Sequence, residues 1–352
     1  MHLTTPGVTI IGPGRLGQSL GKLLAQAGVP VLFVAARRCQ AARRAVEFIG
    51  MGRPIRLTDP RTLEAPIVLL TTADSALASL AKDLATRRPT PAGRGGGQFA
   101  VAALSERRLE GCITQHIRRS ESAAIANRHR DDRHWAGKVV LHTCGSLAAD
   151  VLAPLKRQGA AVGSLHPFQT VPGPEAGVRN LRDCYWGVEG DAAAVRVARD
   201  WVKRLGGKAF PVRAARKILY HAAAFLVCPT IVTLMDESTR LLEKSGVPER
   251  ISRPMLAAFV AETARNFSEL GPRRALTGPV ARGDWTTVKR HLAALRRFAP
   301  DVVPVYAALV EDMLRLAGRR APPGNLHGRR SRRQDASGRR GIDEMSVNTR
   351  VT

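Results

Sequence analysis

A lysine and a histidine stand four residues apart in the 352-residue chain, at Lys217 and His221, where a long apolar run begins. Residues at i and i+4 share a helix face, so an ammonium and an imidazole would point the same way. Such a pair suits a reaction that builds negative charge on an oxygen and then protonates it. Lys217 fits carbonyl polarisation and proton donation; it equally fits the solvent-exposed start of an apolar helix. His221 fits a second catalytic group or a hydrogen-bonded core histidine. A third catalytic candidate, His166, precedes Pro167 at the end of Ala161-Val162-Gly163-Ser164-Leu165. Other apolar runs end at Thr72, with Asp74 just beyond, and at His142. Ligands of open α/β sheets bind past the carboxyl ends of the strands, so these three are candidates for cofactor contact. Asp74 also fits a helix N-cap.

The element that would bring these exits together is Val8-Thr9-Ile10-Ile11-Gly12-Pro13-Gly14-Arg15-Leu16-Gly17. It is a strand running into a G-x-G-x-x-G turn, with a helix predicted over 18–27. In that arrangement Gly12 allows the tight turn, Gly14 lets a pyrophosphate approach the backbone, and Gly17 lets the helix pack on the strand. Arg15 and Leu16 lie between, where the helix N-terminus faces the phosphates. A second strand, 29–36, ends in Arg37-Arg38, and no acid occurs from Phe33 to Arg44. An acid there would bond the ribose 2′-hydroxyl of NAD, whereas arginine accommodates the 2′-phosphate of NADP. The cofactor reading is therefore NADP.

Further strands are expected over 65–72, 138–142, 161–165 and 208–212, with helices over 40–48, 148–158 and 192–205. A Pro- and Gly-rich stretch around 172–177 reads as a loop. Residues 87–137 break the pattern and read as a polar, disordered insertion, since long structureless loops are foreign to compact domains. From Ala214 the chain reads as helix: one long helix over 214–244, then others over 253–270, 284–298 and 301–316. Asn266, polar on an otherwise apolar helix, and Arg282, able to grip a carboxylate bidentately, are candidate substrate contacts. Asp284 fits the N-cap of the helix after it. The expected architecture is thus α/β plus all-α. A Rossmann domain with a doubly wound, mostly parallel sheet spans 7–213, a helical substrate and dimerisation domain 214–317, and a basic disordered tail 318–352.

A formal net charge of +26 invites a nucleic-acid reading. Its placement argues otherwise. Residues 87–138 carry eleven Lys/Arg against five Asp/Glu, and residues 319–352 carry nine Arg against three acids, so nearly half of the excess sits in two poorly patterned segments. No nucleic-acid motif accompanies it, and aromatics are only 5%, too few for a stacking platform. Five cysteines, Cys39, Cys112, Cys144, Cys184 and Cys228, include no pair at metal-ligand or C-x-x-C spacing; no metal site is expected. Residues 218–235 lack charged side chains and approach the length of a membrane span. Tyr220, His221 and Pro229 within the run, and Asp236-Glu237 after it, favour a buried helix. No secretory leader precedes the first strand, and a cytoplasmic protein is expected.

The chain resembles a two-domain family in which a Rossmann-like oxidoreductase domain is joined to a helical domain of unknown function. The stretches that carry the resemblance are Gly12 to Gly17, Leu141-His142-Thr143-Cys144-Gly145-Ser146, Gly163 to Thr170, Lys217 to Ala224 and Ala275 to Asp284. Cys144 departs from it, standing where serine is expected. The family is similar to pyrroline-5-carboxylate reductase and ketopantoate reductase. The resemblance implies hydride transfer from NADPH to a small carboxylated ketone or imine, and a homodimer built through the helical domain. A ketopantoate reductase-like activity is one form of this. A prephenate dehydrogenase-like reaction, suggested by the His-Pro step, a pyrroline-5-carboxylate reductase-like reaction and a non-catalytic dinucleotide sensor are the alternatives. A small molecule is the expected partner, with no specific nucleic acid and no membrane.

Overall fold

The computed structural model describes residues 5–87 and 134–320. The chain forms two compact units, Met1–Cys228 and Pro229–Thr352. The predicted insertion falls mostly on 88–133, and the predicted tail mostly on 321–352; both lie outside the described residues.

Eight strands make one sheet in the first unit: β1 (Val8–Ile11), β2 (Val31–Ala36), β3 (Arg53–Arg56), β4 (Ile67–Leu70), β5 (Val139–His142), β6 (Ala161–Pro167), β7 (Tyr185–Gly190) and β8 (Lys208–Pro211). Their order is β3-β2-β1-β4-β5-β6-β7-β8. The first six run parallel, and β7 pairs antiparallel with β6. This is the expected mostly parallel, doubly wound sheet. Strands β1 and β4 are buried at all four positions, which is why they read as unbroken apolar runs. The order reverses between β1 and β4, so that edge is the topological switch point.

Helices α1 (Arg15–Gln26), α2 (Cys39–Ile49), α3 (Asp74–Thr86), α4 (Ala153–Arg157), α5 (Pro174–Asn180) and α6 (Ala192–Arg204) accompany the sheet. One face of the sheet packs Leu20, Leu23, Leu24, Ala198, Trp201 and Val202 into a core. The other packs Leu77, Leu80, Leu84, Leu152 and Leu155. That second core also holds Trp135, fully buried, with its indole N–H donating to the Leu84 carbonyl at 3.3 Å. Residues 134–137 therefore belong to the fold and not to the predicted insertion. The region expected as a Pro- and Gly-rich loop contains α5, because Pro174 occupies the first helical position, where its missing N–H is no loss.

The long helix α7 (Lys217–Lys244) crosses the division between the two units. It was expected to be buried, yet only Lys217 is. Ile218, Leu219, Phe225 and Leu226 are more than half exposed. The first turn of α7 packs on the sheet, and among the described residues many of the apolar side chains that follow are exposed. By length and composition the helix could cross a membrane.

The second unit contains the rest of α7, α8 (Glu249–Leu270), the short helices α9 (Pro272–Ala275) and α10 (Pro279–Arg282), α11 (Trp285–Phe298) and α12 (Val303–Ala317). Val280, Val288, Leu292, Val310 and Leu314 form its core. Asp284 caps α11, accepting from the Thr287 N–H at 3.1 Å. Arg240 of α7 pairs with Asp301 at 3.0 Å.

Candidate active site

The glycine turn has the geometry that a phosphate cradle needs. Gly12 adopts φ +89°, and a Cβ there would lie 2.6 Å from the Thr72 methyl and 2.9 Å from the Thr72 nitrogen. A Cβ on Gly17 would press on the Gly12 carbonyl at 2.8 Å. Gly14 differs: nothing lies within 4 Å of a Cβ built there. The backbone is open at the position where a pyrophosphate would approach, and Gly14 is the N-cap of α1 with no side chain capping it. The free N–H groups of that helix end are an anion site by construction. Gly14 and Arg15 are exposed and Leu16 half-buried. Arg37 and Arg38 are both exposed at the end of β2, the neighbour of β1. The residues present thus fit a dinucleotide carrying a 2′-phosphate.

Across the switch point, Thr71 closes the turn: its hydroxyl donates to the Gly12 carbonyl at 2.7 Å. Thr72 follows, and its buried hydroxyl has no hydrogen-bond partner among the described residues. Asp74 is the first residue of α3, and Ala73 holds the N-cap position, so the N-cap reading of Asp74 gives way. Its carboxylate suits the positive end of the helix and accepts from the Ser146 hydroxyl at 3.1 Å. Ser146 in turn lies 3.2 Å from the Cys144 sulfur. Burial pushes the Cys144 thiol up, which makes it a poor nucleophile.

Behind this loop lie the histidines and Lys217. His142 is fully buried, and its Nδ1 accepts the Cys144 N–H at 3.2 Å. Burial, and then the Lys217 charge, lower its pKa to about 3, so the ring is neutral. Lys217 is also buried, only 2% exposed. Its Nζ donates to Glu189 Oε1 at 3.0 Å and to the Ser164 hydroxyl. Glu189 Oε1 accepts the Ala149 N–H as well, at 2.9 Å. Burial draws the Lys217 pKa down while Glu189 holds it up. The lysine is therefore an anchored charge under the site and not an exposed helix start.

His166 and His221 are half-buried, with ring centroids 6.1 Å apart. His166 Nδ1 lies 2.8 Å from the Tyr220 hydroxyl. Lys217, Tyr220 and His221 occupy one face of the first turn of α7, and that face meets β6 and β7. Gly145 fits against both imidazoles: a Cβ there would lie 2.6 Å from His166 Nε2 and 2.7 Å from His221 Cδ2. Gly145→Ala is expected to displace both rings and to lower stability by about 1–3 kcal/mol, the usual range for overpacking. Thermal unfolding together with the histidine ring signals in NMR would check this; an unmoved pair of rings would count against the contact.

Three residues central to this cluster went unmarked in the sequence reading: Ser164, Glu189 and Tyr220. Tyr220 had a usable signal, since it lies on the Lys217 face at i+3. Glu189 had a weaker one, an acid inside the apolar strand Tyr-Trp-Gly-Val-Glu-Gly. The candidate substrate contacts Asn266 and Arg282 belong to the second unit. Asn266 is half-buried on α8, and Arg282 is exposed at the end of α10.

The sheet order, the glycine turn and the long following helices define a Rossmann-type domain joined to a helical one. In the C-terminal part, residues 184–313 match the family model described as Domain of unknown function (DUF2520). That match begins at the edge of β7, so it takes in Glu189, Lys217, Tyr220 and His221. No curated protein matches the sequence. Among solved structures, the chain is similar to a Bacteroides fragilis protein proposed to be an NADP oxidoreductase, with TM-score 0.60 and 19% identity over 88% of this chain and 98% of that one. It is similar to a reductive aminase from Aspergillus terreus in complex with NADPH and ethyl-5-oxohexanoate, with TM-score 0.55 and 16% identity over 89% and 94%. A pyrroline-5-carboxylate reductase from Coxiella burnetii gives TM-score 0.50 and 14% identity over 90% and 100%. At these identities the likeness is one of fold.

Proposed function

We propose that the protein is an NADP-dependent oxidoreductase that transfers hydride to a small carboxylated ketone or imine. The observation that carries this reading is the open backbone at Gly14, at the head of α1, with the exposed Arg37-Arg38 pair at the end of the neighbouring strand β2. The turn around Gly12, Gly14, Arg15, Leu16 and Gly17 would hold the pyrophosphate, and Arg37 and Arg38 the 2′-phosphate. Thr72 and Asp74 would border the cofactor at the switch point. When bound, the reduced nicotinamide supplies a hydride. The imidazoles of His166 and His221 stand beside the loop at the ends of β5 and β6, the edge on which Rossmann ligands bind. Fold likeness to NADPH-bound reductases supports the same reading.

Two measurements test it. NADPH fluorescence should show binding, and NADPH oxidation should follow with a member of a panel containing ketopantoate, 2-oxo acids and pyrroline-5-carboxylate. Binding without oxidation of any member would favour a sensor. The Arg37→Ser/Arg38→Ser variant is expected to weaken NADPH binding at least tenfold, about 1.4 kcal/mol, while NADH binding changes little. Equal losses for both cofactors would remove the arginines from 2′-phosphate recognition.

The exposed apolar side chains of α7 support a second copy of this chain as their cover. Light scattering should give a dimer mass; a monomer at micromolar concentration would sink this part of the reading.

A further inference from the structure

His166 meets Tyr220 in a way that decides which of its ring nitrogens carries the proton. The Tyr220 hydroxyl has one proton and two acceptors within reach, His166 Nδ1 at 2.8 Å and the His166 carbonyl at 3.4 Å. Hydroxyl hydrogen bonds to oxygen run about 2.5–3.0 Å, so the carbonyl is a poor acceptor at its distance and Nδ1 a good one at its own. The phenol is held in place by packing against Phe168, with ring centroids 5.5 Å apart, and Phe210, 6.0 Å apart. Burial pushes its pKa up, so it keeps its proton. Nδ1 is thus an acceptor, and in a neutral imidazole the other nitrogen must then carry hydrogen.

The ring is neutral. Burial first, then the charge of Lys217 and the neighbouring His221, lower the His166 pKa to about 4, with Asp74 opposing. The Nε2–H edge faces Gly145 and has no hydrogen-bond partner among the described residues. A Cβ at 145 would lie 2.6 Å from this nitrogen, so any side chain there would press on it.

We propose that Tyr220 is a positioning residue that fixes His166 as its Nε2–H tautomer, so that the site offers a neutral N–H to a hydrogen-bond acceptor, the oxygen of a ketone or aldehyde, in preference to an iminium cation. This rests on the reductase reading above. An iminium nitrogen is itself a donor and brings positive charge, and an N–H facing it would repel it. A carbonyl oxygen gains negative charge as hydride adds to its carbon and the π pair moves to oxygen. A fixed N–H there strengthens as that charge grows. The proton that completes the alcohol comes from water, and His166 ends in the tautomer in which it began.

The test uses the full chain labelled with 15N-histidine and saturated with NADPH. In the wild type, His166, assigned through a His166→Gln variant, should show a bare Nδ1 and a protonated Nε2 at pH 7. Tyr220→Phe keeps the ring packing and should let the two nitrogens exchange the proton. It should lower kcat on a carbonyl substrate at least tenfold with the NADPH affinity unchanged. A His166 protonated at Nδ1, or unmoved by Tyr220→Phe, overturns the assignment. Among substrates, ketopantoate and 2-oxo acids should be turned over faster than pyrroline-5-carboxylate. Faster reduction of the imine, or turnover of no carbonyl, overturns the substrate class. Failure to bind NADPH at all would instead strike the reductase reading, whatever the tautomer.

Discussion

Lys217→Met should lower the free energy of unfolding by about 3–5 kcal/mol, the range for removing one partner of a buried ion pair. The reason is what it leaves behind. Glu189 is 7% exposed, and its Oε1 would keep only the Ala149 N–H. A carboxylate so placed must stay charged without a counter-charge or take up a proton, and either is unfavourable. Lys217→Met/Glu189→Leu should regain most of the loss, because replacing a buried pair with apolar groups is often neutral. Calorimetric unfolding of the two variants checks this. A single variant as stable as the wild type would mean that Glu189 finds another donor. The catalytic reading of Lys217 changes accordingly. Loss of turnover in a Lys217 variant would count as chemistry only if the folded fraction is measured alongside.

Gly14→Asp is the second large effect, and it should appear in binding while stability holds. A side chain at Gly14 meets no atom within 4 Å, and the residue has φ −75°, which any amino acid adopts. The fold therefore tolerates the change, and an aspartate at an N-cap is a favoured cap. For the same reason it would occupy the donors that a pyrophosphate needs and set a like charge against it. NADPH affinity should fall at least a hundredfold, about 2.7 kcal/mol, with the thermal midpoint unchanged or raised. Titration of NADPH fluorescence gives the answer. Undiminished affinity would place the cofactor elsewhere. Gly17→Ala makes the contrast: a Cβ there meets the Gly12 carbonyl, so stability and binding should fall together.

How much of this could be read beforehand follows from the kind of contact involved. Parallel strands covered on both faces are continuous apolar runs, so β1, β2, β4 and β5 were legible within a few residues. The glycine turn was legible because its residues are local to one another. The helix α5 was hidden, because Pro174 and Gly177 look like loop residues when the N1 position is not foreseen. Trp135 was lost inside a polar stretch, since one aromatic makes no pattern. The Lys217–Glu189–Ser164 cluster was hidden for a different reason. It depends on β7 lying antiparallel beside β6 with Ser164 opposite Glu189, a register that no local pattern encodes. The spacing of Lys217 and His221 did place them on one helix face, but could not say that the face looks inward.

The first turn of α7 has a practical consequence for anyone dividing the chain. A fragment ending at 213, where the sheet strands are complete, would keep Glu189 and Ser164 but lose the lysine that offsets the Glu189 charge and donates to Ser164. It would also lose Tyr220 and so leave His166 without its partner. A fragment ending at Cys228 retains both. The stretch from Lys217 to His221 thus works as the closing clasp of the sheet, although its sequence looks like the opening of the helical part. A soluble, folded fragment should depend on carrying that clasp, whatever becomes of the helix beyond it.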